Sequence, residues 1–312
     1  MKFLQQFIAD LQYPVFITRE SSPEIQFANS IAVNKAGKPS LDGTSLDDSV
    51  KRYPTLLNGR SYGQYLREWY EIKERAIKNG DCSYLVTELS YRDDLPFGES
   101  FENWKKMVEV MLHRLRSPLT GIAGYLEMME EENTNKDLEK RFSPINKGFD
   151  QVFDIMDELE ELYQLDNTFD DEGFTEISPQ QILQETTDLF SEEARQRFQF
   201  QNPQPDLTIL SDPEPLRLLL RQLLENALRH SDGDISISLN PQNPVTITIE
   251  NEARDITPEI TEKAFFPFVT SRADDLGIGL TTALLQANRI GATLFFEHKE
   301  EKIAVSLVFP FQ

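Results

Sequence analysis

The chain has 312 residues, 39% hydrophobic and 27% charged, enough for two or three packed domains and too rich in apolar side chains to be disordered. Against 31 Lys and Arg stand 53 Asp and Glu, a formal net charge of -22 that repels phosphate backbones and anionic lipid and excludes non-specific nucleic-acid binding. One cysteine (Cys82) excludes an internal disulfide and a Cys-based zinc site. No run of about 18 apolar residues is present to span a membrane, and the first residues lack an export signal, so a soluble cytoplasmic protein is expected.

Residues 1–95 read as mixed. Pro14–Thr18 and Glu24–Asn29 alternate like short strands around a Glu20–Pro23 turn. A helix is expected over Tyr65–Lys78 and a further strand over Ser83–Ser90. Asp93–Gly98 carries the composition of a boundary. Beyond it, Val108, Leu112, Leu115, Leu119, Ile122, Leu126 and Met129 recur at heptad-like spacing. Phe142, Ile145, Phe149, Val152, Met156, Leu159 and Tyr163 do the same. Two such helices form a hairpin that cannot bury both seams. Either two copies pair as a four-helix bundle, or the hairpin packs against helices of the N-terminal segment.

An acidic linker, Asp166–Gly173, leads to Ser178-Pro179-Gln180-Gln181, which pairs a Ser N-cap with Pro at the first helical position. Strands are expected at Phe198–Gln201 and Leu207–Leu210, then an apolar helix over Pro213–His230. Alternating strands follow through Ile235–Leu239 and Val245–Ile249, with a helix over Leu280–Arg289 and a closing strand pair, Thr293–His298 and Ile303–Phe309. That order describes helices on one face of a mixed sheet, an α+β sandwich.

Three strings carry chemistry. His113 follows a seam position, so its imidazole should flank the core, reach solvent and serve as a nucleophile. Pro118, five residues on, removes the amide that would bond the Arg114 carbonyl and bends the helix. On Pro213–His230 the leucines leave Gln222, Glu225, Asn226 and Arg229 as one polar strip, suited to a Mg²⁺ ion held mostly by water and phosphate oxygens. Gly277 and Gly279 open a helix whose amides can approach phosphate, after an aromatic hinge and lid, Phe265–Arg272.

In this order the strings resemble the two-component sensor histidine kinases. His113–Thr120 looks like their H box and Gln222–Ser231 their N box. Ile249–Ile256 looks like G1, Phe266–Phe268 the F box and Gly277–Leu280 the G2 box. Gly291–Thr293 is similar to the closing glycine element. The resemblance implies a dimerisation and histidine-phosphotransfer hairpin (99–168) that forms a four-helix bundle in a homodimer. It also implies a C-terminal GHKL-type ATP-binding α+β sandwich (174–312). His113 and Glu225 become the catalytic pair, and Asn226 the Mg²⁺ ligand. Asn226, Arg229, Asn251, Ala253, Ile256, Phe268, Arg272, Gly277, Gly279 and Leu280 become the ATP-binding set. The phosphoryl group would pass to an aspartate on a response-regulator receiver domain. Residues 1–95 resemble a PAS sensor module, through Val15–Ile17 and Ile25–Asn29, with fewer strands legible after Lys78 than a full module needs.

The chain departs from the family at several positions. Arg114 follows the phosphoacceptor, where an acidic or amide residue is usual, and it has no acceptor atom. Asn251 replaces the adenine-binding aspartate, and Ala253 and Asp255 stand where glycines are usual. Gln222 replaces the first N-box asparagine. These leave open a degenerate ATP-binding scaffold or phosphotransfer protein. A serine kinase on the same ATP-binding fold would not require the hairpin. Cys82 reads as a small buried hydrophobe rather than a flavin or haem contact, and His298 as structural or solvated.

Overall fold

The computed structural model describes residues 8, 11–53, 60–66, 68–79, 82–90, 92, 99–131, 136–165, 173–253, 256–272 and 275–309. The boundary signal at Asp93–Gly98, the turn after Glu131, most of the acidic linker, and Arg254, Asp255 and Asp274 lie outside the described residues. The chain forms two compact units. One comprises Met1–Asp93, Phe169–Arg254 and Ile290–Gln312; the other comprises Asp94–Thr168 and Asp255–Arg289.

In the first unit the N-terminal residues build a six-stranded antiparallel sheet of order β2-β1-β6-β5-β4-β3. Its strands are β1 (Val15–Arg19), β2 (Ser22–Ala28), β3 (Val50–Arg52), β4 (Ser61–Tyr65), β5 (Glu68–Asn79) and β6 (Cys82–Ser90). Two short helices, α1 (Ser30–Lys35) and α2 (Leu46–Ser49), lie between β2 and β3 in sequence. Asn29 starts α1: its Oδ1 accepts from the amides of Ala32 and Val15, each at 3.1 Å. Phe16, Ile25, Ala32, Leu46, Tyr65, Tyr70, Ile72 and Leu89 form the core. Within it the buried Tyr65 hydroxyl donates to the Ala32 carbonyl at 2.8 Å.

The helix expected over Tyr65–Lys78 is instead β5, the longest strand of this sheet. Its Glu, Lys and Arg residues have helix-forming composition, but cross-strand pairs absorb them. Arg75 meets Glu88 at 3.2 Å, and Glu74 meets Arg52 at 2.8 Å. Tyr70 and Ile72, two apart, both enter the core, which only a strand allows. Cys82, expected buried, is exposed at the start of β6. Strands β4 and β5 add the strand content that the sequence pattern did not display.

The C-terminal part of this unit is a five-stranded mixed sheet of order β12-β13-β11-β10-β8. It comprises β8 (Phe198–Gln201), β10 (Ile235–Asn240), β11 (Thr246–Glu252), β12 (Thr293–Lys299) and β13 (Lys302–Val308). Only β8 runs parallel to its neighbour, β10. A small pair, β7 (Thr175–Ile177) and β9 (Ile209–Ser211), lies apart from it. Two long helices accompany this sheet, α5 (Pro179–Asp188) and α7 (Pro213–His230), with the short α6 (Glu192–Gln196) between them in sequence. Ser178 caps α5 as expected, its Oγ accepting from the Gln181 amide at 3.4 Å.

The second unit is the hairpin, α3 (Glu99–Glu131) and α4 (Lys136–Gln164), with α8 (Pro258–Glu262) and α9 (Gly279–Arg289). Helix α3 runs unbroken through Pro118, and Pro144 lies inside α4. The seams are only partly covered. Val108, Leu112, Phe142 and Met156 are buried, whereas Leu115, Ile122, Met129, Ile145 and Val152 remain 38–59% exposed. Arg116 joins the helices through Asp157 and Glu160.

Candidate functional site

His113 is exposed on α3, one residue after the buried Leu112. This is the placement its position in the heptad predicts: the preceding leucine anchors the helix and the imidazole stands at the edge of the packed face. Three residues on, Arg116 is drawn across to α4, and the Thr120 hydroxyl donates to the Arg116 carbonyl at 2.8 Å near the Pro118 gap in the ladder.

Within the first unit, α7 carries the polar strip. Asp212 caps it, Oδ1 accepting from the Glu214 amide at 3.1 Å, and Pro213 fills the first helical position. Leu216, Leu219, Leu220, Leu223, Leu224 and Ala227 are buried, which turns Glu225 and Asn226 to half-buried positions and Arg229 outward. Glu225 is already engaged: Arg221 Nε donates to its Oε1 at 2.7 Å. Beyond the helix, Arg197 holds the chain, donating to the carbonyls of Ser231 and Gly233. Composition gave no warning of that clamp, because a lone Arg in a polar stretch has no pattern.

Asn251, near the end of β11, is buried on the same face as Ile247 and Ile249, and β11 contacts α7. Its Nδ2 donates to the Glu252 carbonyl at 2.9 Å, which leaves the amide oxygen as the acceptor end. Ala253 is buried and its amide donates to the Glu301 carbonyl at 2.8 Å.

In the second unit the two glycines differ. Gly277 has φ +70°, and a Cβ there would sit 2.8 Å from the Val269 carbonyl oxygen and 2.9 Å from its N and C. The Phe268 amide donates to the Gly277 carbonyl at 2.9 Å, closing the loop that precedes α9. Gly277 is therefore required by chain packing. At Gly279, the first residue of α9, a Cβ would meet nothing within 4 Å, so no neighbour among the described residues demands a glycine there. Leu280 and Ile256 are half-buried, and Arg272 is exposed. Phe268 is half-exposed at φ +67°, its ring edge-on to Trp104 at 5.7 Å. Ile278 and Leu285 are buried with Leu162 of α4, with Trp104, Leu159 and Leu276 beside them. Trp104 extends the first seam by one step of four, a signal the periodicity contained.

The predicted residues thus fall into two groups, each described within its own unit: Glu225, Asn226, Arg229, Asn251 and Ala253 in one, and His113, Ile256, Phe268, Arg272, Gly277, Gly279 and Leu280 in the other. Among the described residues no cluster of three or more His, Cys, Asp or Glu side chains is arranged for a metal, and no helix is long and apolar enough to cross a membrane.

Residues 103–168 match the family model of the His Kinase A (phospho-acceptor) domain. Residues 211–312 match that of the histidine kinase-, DNA gyrase B- and HSP90-like ATPases. The chain belongs to the two-component sensor histidine kinases. Among curated relatives of this chain, Sensor protein BasS of Salmonella typhimurium is 25% identical over 226 residues, covering 70% of this chain and 60% of the relative. Sporulation kinase D of Bacillus subtilis is 23% identical over 195 residues, covering 59% and 37%. The chain therefore spans less than two thirds of either relative. Among solved structures, full-length ShkA in complex with AMPPNP shares the fold at TM-score 0.52 and 17% identity, covering 66% of this chain and 46% of that one.

Proposed function

We propose that this histidine kinase phosphorylates its own His113 from ATP and passes the phosphoryl group to an aspartate on a response-regulator receiver domain. The observation that carries the reading is the exposed imidazole of His113 on the hairpin helix, within the segment matching the phospho-acceptor domain. Attack by an imidazole nitrogen on the γ-phosphorus forms the N–P bond and breaks the bond to ADP oxygen. The proton on the other ring nitrogen is then lost. Arg114 has no acceptor for that proton. Glu225 can take it after giving up Arg221, an exposed pair that costs at most about 1 kcal/mol to break.

Asn226 fits a Mg²⁺ ion: one amide oxygen on a half-buried helix face, with no carboxylate cluster among the described residues, suits a metal held chiefly by water and phosphates. Asn251 supplies an acceptor for the adenine amino group, and the space beside Gly279, where a Cβ would meet nothing within 4 Å, gives phosphate room at the start of α9. Because phosphoryl transfer rests on positioning and charge neutralisation, these groups cover most of what the step needs. The exposed seam residues Leu115, Ile122, Ile145 and Val152 support a homodimer in which two hairpins form a four-helix bundle. Residues 1–95 act as a PAS-like module. Their sheet order β2-β1-β6-β5-β4, with the helices inserted after β2, supports that reading.

Incubation with γ-labelled ATP and Mg²⁺ tests the proposal: wild type gains acid-labile, alkali-stable phosphate and His113→Gln does not. A second reading, an ATP-binding scaffold without kinase activity, is favoured by the Arg221–Glu225 pair. Binding of a non-hydrolysable ATP analogue without labelling by ATP would select it.

A further inference from the structure

The N-terminal sheet and the C-terminal mixed sheet meet inside one compact unit around an enclosed ring. Phe295 of β12 is 3% exposed. Tyr62 of β4 lies 4.9 Å from it, centroid to centroid, Tyr53 stacks at 5.7 Å, and Trp69 of β5 stands edge-on at 5.8 Å. Arg92 completes the enclosure, its guanidinium carbon 4.1 Å from the Phe295 centroid and 5.3 Å from that of Tyr62. Its Nη1 donates to Thr293 Oγ1, also on β12, at 3.1 Å.

Arg92 is 4% exposed and brings a guanidinium charge into the packed region. Burying it is unfavourable unless ring faces and acceptors replace water, so the site is stable only while both sheets contribute. On the module side, Tyr62 and Trp69 take no part in the sheet's own core: Tyr65, Tyr70 and Ile72 fill that core, while Tyr62 and Trp69 are buried against Phe295 and Val308.

Arg92 also sits at a covalent junction. It follows β6, the last strand of the module, and α3, the helix bearing His113, begins seven residues later at Glu99. A clasp here links the sensor sheet, the catalytic sheet and the route into the phosphoacceptor helix.

We propose that this aromatic–arginine clasp is a reversible restraint that holds the catalytic sheet on the N-terminal module and lowers the rate of His113 phosphorylation. The proposal rests on the autokinase reading above. A domain that must deliver ATP to a histidine on another element is productive only in the fraction of molecules free to reach it, and a clasp subtracts from that fraction. A change in the β3–β5 edge of the module that parts Tyr62 from Phe295 takes one ring face away from Arg92, leaves it on β12 with Phe295 and Thr293, and opens the clasp. Signal and catalysis are thereby coupled without a ligand touching the nucleotide site.

The test uses the full chain with Tyr62→Ala on one side and Phe295→Ala on the other, the double variant, and Tyr62→Phe, which keeps the ring. Each is checked for an intact melt, then measured by amide exchange on both sheets and by initial rate of labelling from γ-labelled ATP. Tyr62→Ala and Phe295→Ala each raise exchange on β4 and on β12 and raise labelling about tenfold. The double variant adds little further, and Tyr62→Phe behaves as wild type. Exchange raised on both sheets with labelling unchanged or slower overturns the restraint, as does exchange raised on the mutated sheet alone. No label on wild type or any variant sinks the autokinase reading itself and the restraint with it. A labelled wild type with unresponsive variants sinks the restraint alone.

Discussion

Gly277→Ala isolates a packing requirement in the loop before α9. At φ +70° an L-residue is strained by about 1–2 kcal/mol. The added methyl also meets Val269 backbone at 2.8–2.9 Å, and backbone has no rotamer with which to yield, so overpacking costs about 1–3 kcal/mol more. The smallest combination, about 2 kcal/mol, weakens local closure roughly thirtyfold. The amide of Phe268, which donates to the Gly277 carbonyl at 2.9 Å, reports that opening directly. Hydrogen exchange should therefore accelerate about thirtyfold or more at Phe268. Gly279→Ala should leave it unchanged, because its methyl meets nothing within 4 Å. Gly279→Ala should instead weaken binding of an ATP analogue. Wild-type exchange at Phe268 in Gly277→Ala would refute the packing requirement.

Asn251→Asp, which restores the family's usual acid, should lower the melting temperature. It loses the donor to the Glu252 carbonyl and sets a buried carboxylate against that oxygen, a cost of about 1–3 kcal/mol; a higher melting temperature contradicts the amide orientation. Ile122→Glu, at a half-exposed seam position, should shift sedimentation from dimer to monomer without unfolding α3, and an unchanged dimer would place the interface elsewhere. Burial pushes the Tyr65 phenol up to about 12. A raised folded-state value means the stability it contributes is full below the ordinary tyrosine range and is lost as pH rises through about 12. Tyr65→Phe should flatten that alkaline loss in a melt-versus-pH series, while costing about 1 kcal/mol at neutral pH through the lost hydrogen bond to the Ala32 carbonyl, which keeps its bond from the Ala36 amide at 3.1 Å.

The hairpin and the helix Pro213–His230 were legible because each buries a stripe whose period shows in a single stretch of chain. So were β10 and β11, whose alternation matches one covered face. Strand β5 was not, since Glu, Lys and Arg residues favour a helix locally and only pairing with β4 and β6 reverses that choice. At the site, His113 and the polar strip on α7 were legible from helical spacing, whereas the different duties of Gly277 and Gly279 depend on where Val269 backbone passes. The clasp left no local trace: Arg92 and Thr293 are 201 positions apart, and neither stands in a motif that names the other.

Whether the imidazole of His113 receives the phosphoryl group is tested most directly by peptide mapping of protein labelled with ATP, under alkaline conditions that preserve a phosphoramidate. Phosphate on the peptide carrying His113, and on no other histidine, is the predicted result. Phosphate on Ser117 or Thr120, or none on the hairpin while an ATP analogue still binds, would contradict it.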